Sequence, residues 1–114
     1  MIEKTVLDWL AGALDVPVVM EVPETVPASL VVIEKTGSGE EDTLLSATLA
    51  IQSYAATLHG AAALNEAVKA AMGGLPALPN VFRCHCQTDY NWTDTRTKRR
   101  RYQAVFDIFY TEEE

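Results

Sequence analysis

The sequence predicts an α+β fold, a two-layer sandwich in which two helices cover one face of a mainly antiparallel sheet of four to five strands. Three observations support this prediction: two segments are apolar at helical spacing, two others alternate, and turn-forming residues separate most strands. Strands joined by short turns pair antiparallel, and the apolar sides of the helices need the sheet for burial. The order is α-β-β-β-α-β-β within one domain, residues 1–114.

The first half of the chain supplies one helix and three strands. The helix is predicted over residues 2–14, where four apolar residues share one side and Pro17 prevents continuation. Strands are predicted over residues 18–22 and 29–35, with a flexible acidic loop at 36–42. The strand over 43–53 alternates clearly, placing the following residues on one face: Leu45, Ala47, Leu49 and Ile51.

The second half supplies a helix and two strands. The helix is predicted over residues 56–72, with Asn65 at the edge of its apolar stripe and Gly73-Gly74 as its stop. Strands follow over 81–88 and 102–111, and the polar segment between them predicts a functional loop or an extended two-stranded arm. We expect one core shared by Leu49, Ile51, Leu64, Val68, Phe106 and Ile108.

The charge of the chain is acidic in balance and segregated along the sequence. The net charge of −7 argues against a protein whose main task is to grip DNA, because phosphate binding needs a positive field. Acid concentrates in residues 40–42 and 112–114, whereas base concentrates in residues 98–101. Separation of this kind favours pairing between protein surfaces. The N-terminus lacks signal-peptide features and no apolar stretch reaches about 20 residues, so we expect a cytosolic protein with reduced cysteines.

Cys84-His85-Cys86 is the strongest candidate for metal or nucleophile chemistry. In a strand the two cysteines face one way and the histidine faces the other, so the three cannot converge. His59, the other histidine, is predicted on the exposed side of a helix. The chain also lacks GxSxG, phosphate-loop and HExxH motifs. We therefore expect no catalytic residue, no metal and no cofactor.

The candidate functional residues are interface residues. The acidic group and the basic run would lie on two surfaces that pair between subunits, although a nucleic-acid patch and a solvated hairpin base are alternatives for the basic run. Trp92, in a polar segment, either anchors an interface or folds back on the core. Reversing the three arginines should block assembly without unfolding the chain. The candidates are Glu40, Glu41, Asp42, Trp92, Arg99, Arg100 and Arg101.

An ordered set of segments resembles one family over nearly the whole chain. They are VIEKTG at 32–37, LAIQSY at 49–54, AAALNEAVKAAM at 61–72, YNWTD at 90–94 and RYQAVFDI at 101–108. Together they resemble the tail-completion family of siphophages, with some similarity to lambda-type tail terminators. None of these segments is diagnostic alone, since all are structural signatures, and their order and spacing carry the resemblance.

The resemblance implies a structural, non-enzymatic protein of the virion. It would form a ring, by resemblance a hexamer, that caps the tail tube and provides the head–tail joining surface. The isolated subunit would be either such a ring or, until a finished tube is present, a monomer. Its partners would be other copies of itself, the tail-tube protein and a head–tail connector, with DNA passing through without specific binding. It would be found in the host cytoplasm during assembly. The alternatives are a small neck or connector protein and an α+β ligand-binding or regulatory module from outside phages.

Overall fold

A computed structural model confirms the α+β fold and its predicted order of elements, and it describes residues 1–112. The last two acids of the predicted acidic tail, Glu113 and Glu114, lie outside the described residues. The elements in chain order are α1 Ile2–Ala13, β1 Val18–Val19, β2 Leu30–Glu41, β3 Leu44–Ala55, α2 Leu58–Gly73, a short 3-10 helix Leu75–Ala77, β4 Val81–Asn91 and β5 Arg100–Tyr110. The strands form one sheet in the order β1-β2-β3-β5-β4, with only β1–β2 parallel among the described pairs.

The core lies between the two helices and one face of the sheet. Directly opposed residues of antiparallel strands share a face, and Leu49 lies opposite Phe106 in the centre of the sheet. Val6 and Leu10 of α1 and Val68 of α2 pack on this face. The expected shared core is confirmed, with Leu64 half-buried at its margin; its fully buried sheet members are Leu49, Ile51, Phe106 and Ile108.

Three polar contacts cap the helices or hold them in place. The indole Nε1 of Trp9 donates to the carbonyl oxygen of Ala71 over 2.8 Å, joining α1 to the last turn of α2. The side chain of Thr57 caps the start of α2 by accepting from the amide of Gly60. Asn65, predicted at the edge of the apolar stripe, is fully buried, because its amide donates to Asp89 on β4 over 2.8 Å.

The predicted acidic loop at 36–42 was wrong. Strand β2 continues through Gly37 and Gly39 to Glu41, paired with β3, and only Asp42 and Thr43 form the turn. Asp42 has φ 56°, which suits a tight hairpin turn. This pairing is fully exposed on β2, so it leaves no apolar alternation in the sequence from which it could be predicted. The prediction for β1 was too long, because this strand covers only Val18–Val19 and not residues 18–22.

The segment between β4 and β5 is the extended arm, one of its two predicted alternatives. Pairing continues to Asn91 opposite Tyr102, and Asp94 bridges to Arg99 beyond it. The carboxylate of Asp94 accepts from the backbone amides of Arg96 and Thr97, which closes the tip and lowers the Asp94 pKa. No helix within residues 1–112 combines the length and the apolar character needed to cross a membrane.

Candidate functional site

The acidic and basic candidate residues lie at opposite ends of the sheet. Strand β3 connects the two ends, because Leu44 pairs with Glu41 and Ala55 pairs with Arg100. Its 12 residues span roughly 36 Å at the usual rise of a strand. We call the region around Glu40, Glu41 and Asp42 the acidic end, and the region around residues 96–101 the basic end. One chain therefore cannot bring these two groups together.

The basic end is built on an aromatic stack. The guanidinium carbon of Arg101 lies 4.0 Å from the ring centre of Trp92 and 5.7 Å from that of Tyr54. Its Nη1 donates to the Tyr54 hydroxyl over 2.9 Å, and its Nε donates to the Trp92 carbonyl oxygen over 2.7 Å. Arg99 lies over the same Tyr54 ring at 5.0 Å. These cation–π contacts hold two of the three candidate arginines against the protein's own surface.

Arg100 differs from the arginines on either side of it. Its side chain is exposed, and its Nη1 donates only to the carbonyl oxygen of Lys98 over 2.9 Å. Within the described part of the chain, none of the four basic residues 98–101 forms an ion pair with a carboxylate, and every ion pair there uses a lysine outside this run. The charges at this end are therefore available to an external anion, with Arg100 and Lys98 the most accessible.

An open cleft lies beside these charges. It has a volume of about 390 Å³ and is walled by residues 26–28, by Ala55 and Ala56, and by Lys98, Arg99 and Arg100. Its lining carries three cations and no carboxylate. A cleft of this composition suits a carboxylate group of a partner protein.

Trp92 contacts its own hairpin and also remains 40% exposed. It lies on the sheet face opposite the helices, which we call the open face. A cavity of about 280 Å³ beside the ring is lined in part by Met20, Val22 and Glu34. Met20 and Val22 are exposed apolar side chains. The Trp92 ring thus contacts the Arg101 guanidinium and has an accessible apolar surface beside it. Both features are typical of aromatic residues in interfaces.

The sequence analysis missed a buried amide chain on the open face. Gln52 and Gln103 are only 4% and 7% exposed, and Gln52 Nε2 donates to Gln103 Oε1 over 2.6 Å. Gln103 Nε2 donates in turn to the hydroxyl of Tyr90. The sequence offered one indication of this contact, a glutamine near the middle of each of the two predicted strands. In the structure, Gln52 pairs directly with Gln103. Paired amides of this kind fix the register of the sheet.

The two cysteines lie on the core side of β4, where Cys86 is near the charges of Asp89, Lys69 and Glu66. Cys84 and Cys86 are free, half-buried and pack on the core, whereas His85 is exposed and pairs with Asp107 of the open face. Burial, and then Cys86, raises the pKa of Cys84 to about 12. In the part of the chain that the structure describes, no three metal-ligating side chains are grouped.

A polar bridge joins α2 to β4. Lys69 binds Glu66 over 2.9 Å and Asp89 over 3.1 Å, and these two carboxylates raise its pKa to about 12. Asp89 also accepts from the buried Asn65 amide. Since each charged group here is paired, the bridge accounts for the orientation of β4 against α2.

Two comparisons with known proteins were made for this chain. No protein-family model matches it, and no curated protein matches it significantly. The features that bear on function are therefore the opposite charges of the two ends and the resemblance of the sequence segments.

Proposed function

We propose that this chain is a ring-forming tail-completion protein of a long-tailed phage or prophage. It caps the tail tube and provides the surface to which the head joins. The observation that carries the proposal is the placement of opposite charge at the two ends of one continuous strand, roughly 36 Å apart. The resemblance of five ordered segments supports the same assignment.

A protein that joins two assemblies needs two different contact surfaces. The acidic end presents Glu40, Glu41 and Asp42, all exposed, and the basic end presents Lys98 and Arg100. Opposite charges on the two ends select different partners and suppress reversed docking, which matters more for orientation than for affinity. The partners proposed are other copies of the chain, the tail-tube protein and a head–tail connector.

The role is structural, and it is carried out at the head–tail interface of the virion after assembly in the host cytoplasm. The chain performs no chemistry in this role and uses no cofactor. DNA passes the ring without specific binding, because the net charge of −7 repels phosphate over most of the surface. The basic end is then directed at protein carboxylates, and its cleft of three cations suits them.

Electron microscopy of virions tests the proposal. Deleting the gene from the phage or prophage that carries it should give headless tails of uncontrolled length, and the wild-type chain supplied in trans should restore normal particles. The variant Arg100→Glu should fold but fail to restore head joining. Lys4→Glu is the control, because it makes the same charge change on the exposed side of α1. Normal virions in the deletion strain would refute the proposed function.

A further inference from the structure

Both edges of the sheet have unpaired backbone. Strand β4 forms one edge, and β2 forms most of the other, because β1 covers only Val31 and Val32. Within residues 1–112, no strand pairs with the outer side of β4 or of residues 33–41. Such edges present rows of amides and carbonyls that can accept another strand.

The directions of the strands make these two edges complementary. Each of the pairs β2–β3, β3–β5 and β5–β4 is antiparallel, so β2 and β4 run in opposite directions. When a second copy is rotated about an axis parallel to the strands, its β4 approaches β2 of the first copy in antiparallel orientation. The contact uses two different surfaces, so repeating it continues the same sheet, and the sheet closes into a ring when the rotation between copies divides a full turn.

Charge favours the same contact. The outer part of β2 carries three exposed glutamates, Glu34, Glu40 and Glu41, and one exposed cation, Lys35, which is bound by Glu3 over 3.7 Å. On β4 the exposed side chains include Arg83 and His85, and its carboxylate, Asp89, is already bound by Lys69. A predominantly acidic edge therefore faces an edge that carries the cation Arg83, and opposite charges on adjacent strands stabilise their pairing.

The strand register places the charges of the two edges at similar positions along the strand direction. Arg83 pairs with Phe109, Phe109 with Ser46, and Ser46 with Gly39, so Arg83 lies level with Gly39 at the other edge. Glu41 is two residues further along and points to the same face of the sheet as Gly39. Between copies with little relative shift along the strands, Arg83 and Glu41 come within reach of each other.

Irregularities in the edge strands give the contact selectivity. The register shifts at Phe82 and at Gln87 in β4 and at Thr36 in β2, and bulges of this kind hinder indiscriminate pairing of edges. Phe82 is 59% exposed at its bulge. A neighbouring strand at this edge would cover part of that ring, which is otherwise costly to leave in water.

We propose that β2 of one copy pairs antiparallel with β4 of the next, so that the free edges form the contact between subunits. This inference rests on the proposed function for the existence of a ring, and it replaces pairing of the acidic group with the basic run inside the ring. Contact between those two ends would run along the long axis of the molecule and extend an open filament. In the edge-paired ring, all acidic ends lie on one side and all basic ends on the other.

Native mass spectrometry of the full chain and of two charge reversals, Glu41→Arg and Arg83→Glu, tests the inference. The wild-type chain should form a closed oligomer, and each variant alone should lose it, because like charges then meet at every contact. An equimolar mixture of the two variants should restore an oligomer that contains equal numbers of each. Circular dichroism checks the fold, and Glu41→Gln or Arg83→Gln replaces any reversal that unfolds.

The single variants distinguish this contact from one between identical edges. A contact between identical edges brings two Glu41 or two Arg83 side chains together in wild type as well, so reversing either charge would not weaken it. The mixture shows that the loss in the single variants comes from the charges that meet and not from misfolding. Overturning results are a wild-type chain that stays monomeric at every soluble concentration, single variants that assemble like wild type, or a mixture that stays monomeric. Rings that assemble in this way without completing tails in the deletion strain would refute the proposed function and leave the edge contact standing.

Discussion

Replacing Arg101 by glutamate should destabilise the fold, whereas the same change at Arg100 should not. Arg101 stacks on Trp92 and donates two hydrogen bonds, to the Tyr54 hydroxyl and to the Trp92 carbonyl oxygen. A cation–π contact contributes about 0.5–2 kcal/mol, and a hydrogen bond from a charged donor about 1.5–3 kcal/mol. These contributions overlap and the site is half-exposed, so we expect a loss of about 2–4 kcal/mol in the free energy of unfolding.

Urea unfolding followed by circular dichroism measures this loss. Arg101→Lys should cost about 1–2 kcal/mol, because lysine keeps the charge but lacks the planar fork that makes both hydrogen bonds. Arg100→Glu is the matched control, since that side chain bonds only the Lys98 carbonyl oxygen and should leave stability unchanged. An Arg101→Glu variant within about 0.5 kcal/mol of wild type would refute the reasoning, because a change that small is typical of an uninvolved surface residue. The triple reversal of residues 99–101 therefore mixes a stability effect with an interface effect, and Arg100 alone is the cleaner probe.

Three further predictions concern the core and the thiols. Leu49→Ala should lower the free energy of unfolding by about 2–5 kcal/mol in urea titrations, whereas the exposed Leu44 should tolerate alanine; a tolerated Leu49→Ala would contradict the assigned core. The raised pKa of Cys84 means that its neutral thiol is favoured in the folded state, so stability should fall as pH rises from about 9 towards 12, and Cys84→Ala should reduce that fall. Elemental analysis of protein purified without chelators should find no stoichiometric zinc or iron, because Cys84 and His85 face opposite sides of β4. One tightly held metal per chain would contradict this prediction.

The parts of the fold that bury apolar side chains were predictable from the sequence. Alternation along β3 and β5 placed Leu49 and Phe106 on one face, and the structure confirms this arrangement. The outer half of β2 was not predictable in this way, because Gly37, Gly39 and their neighbours pair through the backbone while remaining exposed. Asn65 was underestimated for the opposite reason, since a buried polar residue is identified only through a distant partner, here Asp89.

The sequence indicated which residues are candidates for an interface, but it did not predict how their side chains are arranged. A run of arginines near a tryptophan suggested a contact surface, yet the sequence could not show that Arg99 and Arg101 lean on Tyr54 while Arg100 remains free. Tyr54 is 47 residues away from Arg101 along the chain, and only the pairing of β3 with β5 brings them together. Long-range contacts of this kind depend on strand order, which no local pattern encodes.

The two tryptophans give the molecule two separate optical probes. Trp9 is half-buried between the helices and held by the Ala71 carbonyl oxygen, so its emission follows the loss of helix packing. Trp92 is 40% exposed beside Arg101, where a docking partner would exclude water from the ring. Fluorescence of a Trp92→Phe variant would then record unfolding alone. A blue shift that is present in wild type and absent from this variant would record assembly in real time, without any attached dye.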